Sequence, residues 1–162
     1  MTAPDVYADY IKVLIDAEMT RKSSLEQRGA GMVTTSGTLV TLLFALVGVI
    51  TAAKDFSLPV EAHGYLGAAV ILFTIAVAIG VSANLPFIYK EAYPTAAQLV
   101  QVWDYTEPEA QAHIIATRLK VLSSARRANG LKGLLVLIAG IVQLTALIML
   151  TVAVLMIVGV KS

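Results

Sequence analysis

Three long stretches of the sequence contain no Asp, Glu, Lys, Arg or His, and they constrain the fold more than any other feature. They cover residues 29–53, 64–89 and 133–160 and are 25, 26 and 28 residues long. A helix that crosses ~30 Å of hydrocarbon needs about 20 apolar residues, so each stretch can span a membrane with residues to spare for tilt. A soluble fold would instead require three helices that are hydrophobic on every side.

The sequence therefore predicts an all-α membrane protein with three transmembrane helices and cytoplasmic helical extensions. Only 14% of the residues are charged, against about a quarter in soluble chains. The first 28 residues lack the apolar core of a signal peptide. The predicted segments are a cytoplasmic amphipathic helix (1–28), TM1 (29–53), an outer loop (54–63), TM2 (64–89), a cytoplasmic helical segment (90–132) and TM3 (133–160).

The positive charges indicate the topology. Ten of the twelve Lys and Arg residues lie before TM1 or between TM2 and TM3, and only Lys54 and Lys161 lie elsewhere. The positive-inside rule then places the amino terminus in the cytoplasm and the carboxyl terminus outside. We therefore expect a multi-pass membrane protein in this orientation.

Both cytoplasmic segments show helical patterns. Thr106-Glu107-Pro108-Glu109 has the spacing of a capping box, and the helix it opens is expected to continue through Gly130 and Gly133 into TM3. A shorter helix is expected to open at Pro94. The two longer helices are expected to pack through Ile11, Leu14 and Ile15 on one side and Ile114, Ile115, Leu119 and Leu122 on the other.

Three cations close to TM3 fall where lipid headgroups lie. These are Arg126, Arg127 and Lys132. A cation at this level gains on the order of 1 kcal/mol from an anionic membrane surface. We therefore expect all three to contact headgroups.

A stripe of small residues runs along TM1. At 100° per residue it occupies one sector of the helix. Its members are Ala30, Thr34, Gly37, Thr38, Thr41, Ala45, Gly48 and Ala52. Small residues allow helices to approach closely in lipid, so the stripe is predicted to be a packing face.

The other two spans have similar faces, and the three faces are expected to close into one bundle. They comprise Ala69, Ala76, Gly80 and Ala83 in TM2, and Ala139, Gln143, Ala146 and Ala153 in TM3. Gln143 lies well inside the membrane and needs a hydrogen-bond partner, for which we expect Thr38 or Thr41. The alternative is that Thr34, Thr38, Thr41 and Gln143 line a water-filled path in an oligomer.

The residues that catalysis and metal binding need are scarce. The chain has no cysteine, which excludes disulfides and thiolate metal sites. The spans contain no ionisable residue for a proton relay, and no hydrolase or phosphate-binding motif occurs. Glu109 and His113 are four residues apart, but two ligands are a weak metal signal. The sequence predicts a protein that is not an enzyme, with no catalytic, cofactor or metal site.

Two segments carry a resemblance. They are AEMTRKSSLEQRGAGMVTTSGTLVTLLFAL at residues 17–46 and ATRLKVLSSARRANGLKG at residues 116–133. The chain resembles small uncharacterised integral-membrane proteins of actinobacteria, some of which are called plasmid-transfer proteins. In layout it is also similar to the transmembrane effectors of Pycsar and CBASS defence systems, although it lacks their nucleotide-binding domain. The first resemblance implies a location in the bacterial plasma membrane, which is the inner membrane where there are two, and the second implies a role as a bacterial defence effector.

Two functional hypotheses follow. In the first, the chain self-associates through its small-residue faces and perturbs or permeabilises the membrane as a channel, with the cytoplasmic helices in control. In the second, it is an accessory or scaffold subunit of a larger membrane complex and conducts nothing. The expected partners are membrane lipid, further copies of the chain and a protein bound at the cytoplasmic helices, but no nucleic acid.

Overall fold

Three long α-helices account for nearly all of the residues that the structure describes. The computed structural model describes residues 3–52, 59–85, 100 and 102–159. Helix α1 covers Ala3–Ala52, α2 covers Val60–Asn84 and α3 covers Glu107–Gly159, with no strand in these ranges. All three are long and apolar enough to cross a membrane. The predicted all-α class with three membrane-spanning helices is confirmed.

The chain divides into two compact units. The charged unit comprises Met1–Ser24 and Pro86–Lys132, and the apolar unit comprises Leu25–Leu85 and Gly133–Ser162. Helices α1 and α3 have 50 and 53 residues, whereas about 20 suffice to span hydrocarbon. Each therefore contributes residues to both units. As predicted, α3 continues through Gly130 and Gly133 without interruption.

Local sequence sets the helix ends. At the start of α3, the Thr106 backbone N–H and hydroxyl both donate to Oε2 of Glu109, at 2.9 and 2.8 Å. The predicted capping box is thus confirmed as the start of this helix. Helix α2 ends at Asn84, directly before Leu85 and Pro86, because a residue that precedes proline is disfavoured in the helical conformation. The short helix expected from Pro94 falls mostly outside the described residues.

In the apolar unit, each helix buries residues at alternating spacings of four and three. Every described buried position of the unit falls in this repeat, which half-buried residues complete, at 25, 29, 32, 36, 39 and 43 on α1, 62, 66, 69, 73, 76, 80 and 83 on α2, and 136, 139, 143, 146, 150, 153 and 157 on α3. A repeat of 3.5 residues is typical of left-handed helical bundles. These positions therefore form the core of the unit.

Helices α1 and α2 meet backbone to backbone at two glycines. A Cβ added to Gly80 would lie 3.2 Å from the carbonyl oxygen of Gly29 and 3.2 Å from Cγ2 of Val33. Beside this crossing, the amide of Asn84, oriented to satisfy both of its groups, donates to the Glu26 carbonyl at 2.8 Å and accepts from the Ala30 N–H at 3.2 Å. The crossing is thus fixed by close approach and by polar contacts.

A buried polar contact joins α1 and α3 in the charged unit. The side-chain amide of Asn129 donates to the Glu18 carbonyl oxygen at 2.8 Å and to Glu18 Oε2 at 2.9 Å. The other carboxylate oxygen lies 3.6 Å from Nε of Arg126 and 3.8 Å from Nη1 of Arg21. Because a buried polar group is costly unless it is paired, this contact favours one register of the two helices.

The apolar packing expected in the charged unit is confirmed only in part. Ile11 and Leu122 are buried, whereas Ile114 and Leu119 are exposed. Every described buried position of this unit falls in a four and three repeat, which half-buried residues complete, at 8, 11, 15, 18 and 22 on α1 and at 115, 118, 122, 125, 129 and 132 on α3. The two exposed residues lie off this repeat, which is why they miss the interface.

Candidate functional site

The small-residue stripe of α1 does not pack inside the chain. Ala30, Thr34, Gly37, Thr38, Thr41, Ala45 and Gly48 are all exposed, and the side chain of Ala52 lies outside the described residues. A Cβ added to Gly37 or Gly48 would meet no described atom within 4 Å. The expectation that this stripe closes the bundle is therefore wrong. We call these seven exposed residues the α1 small-residue face.

The small faces of the other two spans do point inward, as expected. Ala69, Ala76, Gly80 and Ala83 of α2 and Ala139, Ala146 and Ala153 of α3 are buried. If all three helices turned small residues inward, the centre of the bundle would be empty. Protein interiors are close-packed, so one helix has to supply large side chains there. Helix α1 therefore turns its large residues inward. Leu43 packs in a cluster with Leu66 and Ala153, and Leu39 and Val40 contact a cluster formed by Ala69, Phe73 and Ala146.

The three threonines of the α1 small-residue face use their hydroxyl protons within the helix. Thr34, Thr38 and Thr41 donate to the carbonyl four residues earlier, at 3.1, 2.9 and 2.9 Å. A hydroxyl in lipid needs such a partner, and the helix backbone supplies it. The hydroxyl donors of the face are therefore all satisfied. Because its side chains are also small, the face suits close contact with another helix.

Gln143 lies on a different surface from these threonines. It is half-buried and lines an open groove of about 690 Å³ between α1 and α3, together with Arg28 and Thr35. Among the described residues no hydrogen bond joins Gln143 to Thr38 or Thr41, whose hydroxyls donate to carbonyls of their own helix, so the expected partnership within the chain is wrong. Within one chain, Gln143 and the exposed threonines do not form a single polar path.

Ser36 is a polar core residue of the apolar unit that the sequence analysis does not identify as a site. It is fully buried on the inner side of α1, and its Oγ has no hydrogen-bond partner among the described residues. Its place in the four and three repeat, between Met32 and Leu39, is the signal that could have identified it. A buried hydroxyl without a partner costs about 1–3 kcal/mol.

The three cations expected at lipid headgroups have different surroundings. Arg126 and Arg127 are exposed, and Arg126 contacts Glu18 at 3.6 Å. Lys132 is completely buried. The headgroup expectation is therefore wrong for Lys132, which occupies a core position of the α3 repeat in the charged unit.

Glu109 and His113, the two residues with metal-compatible spacing, each make another contact in the structure. Glu109 accepts the two Thr106 hydrogen bonds, which lower its pKa below the ordinary value of 4.5. The ring of His113 lies edge-on to Tyr105, with centroids 6.0 Å apart. Across the residues that the structure describes, no group of three His, Cys, Asp or Glu side chains could hold a metal ion.

Comparison with known proteins assigns no function. No protein-family model matches the sequence, and no curated protein or solved structure is similar to it. The exposed face of α1 is therefore the most informative feature for function.

Proposed function

We propose that this chain is a multi-pass membrane protein without enzymatic activity that self-associates through the α1 small-residue face. The observation that carries the proposal is the contrast among the three spans. The small faces of α2 and α3 are buried inside the chain, whereas the face of α1 is exposed. A second α1 helix is the partner that such a face fits best.

The surroundings of the face support this proposal. Large apolar side chains flank it on both sides, including Leu42, Phe44 and Val49, which are exposed and suited to contact with acyl chains. Apolar lipid tails give little hydrophobic force for association, so helices in a membrane associate mainly where small residues allow close packing. The α1 small-residue face is a narrow strip between larger lipid-facing residues, which allows one helix to approach.

The orientation belongs to the same proposal. The ten-to-two distribution of Lys and Arg favours a cytoplasmic amino terminus and an external carboxyl terminus in a bacterial plasma membrane. The charged unit then lies in the cytoplasm, where a protein partner or an effector signal could reach it.

Packing is favoured over a conducting path by the position of Gln143. A water-filled path in an oligomer would have to bring Gln143 of one copy beside the α1 threonines of another, because within one chain Gln143 lines the groove with Arg28 and Thr35 instead. Self-association through the exposed face needs no such second contact, so the channel hypothesis, and with it the defence-effector role, has less support. Ion flux through liposomes that contain the purified protein would revive them.

Leucine substitutions on the face test the proposal. Thr38→Leu and Gly48→Leu add bulk where two helices would touch, and we expect both variants to lose the oligomer in mild detergent. Gly67→Leu is the matched control, because Gly67 is exposed on α2 and a Cβ there meets no described atom within 4 Å.

The measurement is the mass of the protein without detergent, from light scattering or native mass spectrometry. Equal masses for all variants and the parent would contradict the proposal. Purification of the parent as one copy with a stable different protein would favour the accessory-subunit alternative.

A further inference from the structure

The part of α1 in the charged unit has an exposed stripe of its own. The residues follow alternating spacings of four and three, and none is charged. They are Val6, Tyr10, Val13, Ala17, Thr20 and Ser24, and all six are exposed. The three largest, Val6, Tyr10 and Val13, are 52%, 61% and 63% exposed. We call these six residues the amino-terminal stripe.

This stripe has the spacing of the core positions of a coiled coil. A repeat of 3.5 residues keeps one line of side chains facing a partner helix along a left-handed supercoil. The same part of α1 already uses another such line, at 8, 11, 15, 18 and 22, for contacts inside the chain. The amino-terminal stripe is therefore a second repeat that the chain itself leaves uncovered.

The charges beside the stripe are complementary to those of an identical helix. Asp16 directly precedes Ala17, and Arg21 directly follows Thr20. In a parallel coiled coil in register, these flanking positions pair between helices, so Asp16 of each copy faces Arg21 of the other. An antiparallel arrangement would instead bring Asp9 and Asp16 of the two copies together.

Both members of this pair are accessible. Asp16 is exposed, and its carboxylate has no ion pair in the part of the chain that the structure describes. The side chain of Arg21 is 54% exposed, and its contact with Glu18 is long, at 3.8 Å. That contact is weak enough to be exchanged for a second carboxylate.

We propose that the amino-terminal stripe binds a second copy of this chain, α1 to α1 in parallel and in register, with Asp16 and Arg21 paired across the contact. This inference rests on the proposed self-association and specifies its geometry in the charged unit. Copies inserted in one membrane with one orientation present parallel α1 helices. In the sequence, the four and three spacing also continues from Ser24 through Gln27 and Gly31 to Thr34, Thr38, Thr41, Ala45 and Gly48.

Single cysteines test the geometry, because the chain has no cysteine of its own. In a parallel pair in register, identical stripe residues meet, so Val13→Cys and Ala17→Cys should form disulfide-linked dimers in oxidised membranes. Lys12→Cys is the control, because Lys12 is exposed and lies off the stripe. Thr38→Cys reports on the α1 small-residue face in the same assay.

The outcomes separate the two proposals. Cross-links at Val13→Cys, Ala17→Cys and Thr38→Cys, with none at Lys12→Cys, support both. A cross-link at Thr38→Cys alone would overturn the parallel stripe and leave self-association standing. The absence of cross-links at all three positions would overturn both.

Charge reversal provides an independent test. In a dimer of either variant, Asp16→Arg or Arg21→Asp, both symmetric pairs carry like charges. Each such pair should lower the association constant about two- to fivefold. A mixture of the two variants restores both opposite-charge pairs, so it should form mixed oligomers in preference to either variant alone. The control, Lys12→Asp, reverses an exposed charge away from the stripe and should associate like the parent. Random mixing of the two variants would overturn the inference.

Discussion

The Gly29–Gly80 crossing allows a quantitative test of the packing in the apolar unit. Alanine at position 80 would place its Cβ 3.2 Å from the Gly29 carbonyl oxygen and 3.2 Å from Cγ2 of Val33. A backbone oxygen cannot rotate away, and a β-branched valine has few rotamers. Overpacking of this kind costs about 1–3 kcal/mol, so Gly80→Ala should lower the free energy of unfolding by that amount.

Two other glycines form a graded series with it. At Gly140 the added Cβ would lie 3.3 Å from Cε of Met32, the flexible end of a long side chain, so we expect a smaller loss for Gly140→Ala. At Gly67 it would meet no described atom within 4 Å, so Gly67→Ala should be neutral or gain up to about 1 kcal/mol from its better helix propensity.

Reversible unfolding by sodium dodecyl sulfate, followed by circular dichroism or fluorescence in mixed micelles, would give the three free energies. The expected order of stability is Gly67→Ala, then Gly140→Ala, then Gly80→Ala. A Gly80→Ala variant as stable as Gly67→Ala would refute the close approach of α1 and α2.

Three further predictions concern buried and capping polar groups. Ser36→Ala should raise the free energy of unfolding by about 1 kcal/mol in the same assay, because it removes a buried hydroxyl without a described partner; a loss of stability would show that the hydroxyl has a partner. Asn129→Ala should lower it by about 1–3 kcal/mol, because Glu18 loses its amide donor, and an unchanged value would show that this contact does not stabilise the charged unit. Since the pKa of Glu109 is lowered in the folded chain, its contribution is complete above the ordinary value of 4.5 and is lost as the pH falls through the lowered pKa. The protection of backbone amides at the start of α3, taken relative to their intrinsic exchange rates at each pH, should therefore fall on acidification in the parent but not in Glu109→Gln, and parallel protection profiles would contradict the capping role.

The features that depend on one helix alone could be predicted from the sequence. The uncharged runs gave the three membrane-spanning helices, because the thickness of the bilayer sets the required length. The capping box at Thr106 and the end of α2 before Pro86 are also local, since the residues that determine them are neighbours in the chain.

The features that depend on two helices could not be predicted in the same way. The stripe on α1 indicated a packing face, but not which helix it would meet. That depends on volume, because the alanines of α2 and α3 require large residues such as Leu39 and Leu43 opposite them. The charge of Lys132 and its position next to TM3 predict a place at the membrane surface, whereas its position in the α3 repeat puts it in the core of the charged unit.

Cross-linking at matched threonines tests most directly whether the α1 small-residue face joins two copies. Thr41 and Thr74 are both exposed within spans, and each donates its hydroxyl to the carbonyl four residues earlier at 2.9 Å. In native membranes treated with an oxidant, Thr41→Cys should form a disulfide-linked dimer and Thr74→Cys should remain monomeric. A dimer formed by Thr74→Cys and not by Thr41→Cys would contradict the account, because α2 and not α1 would then face the second copy.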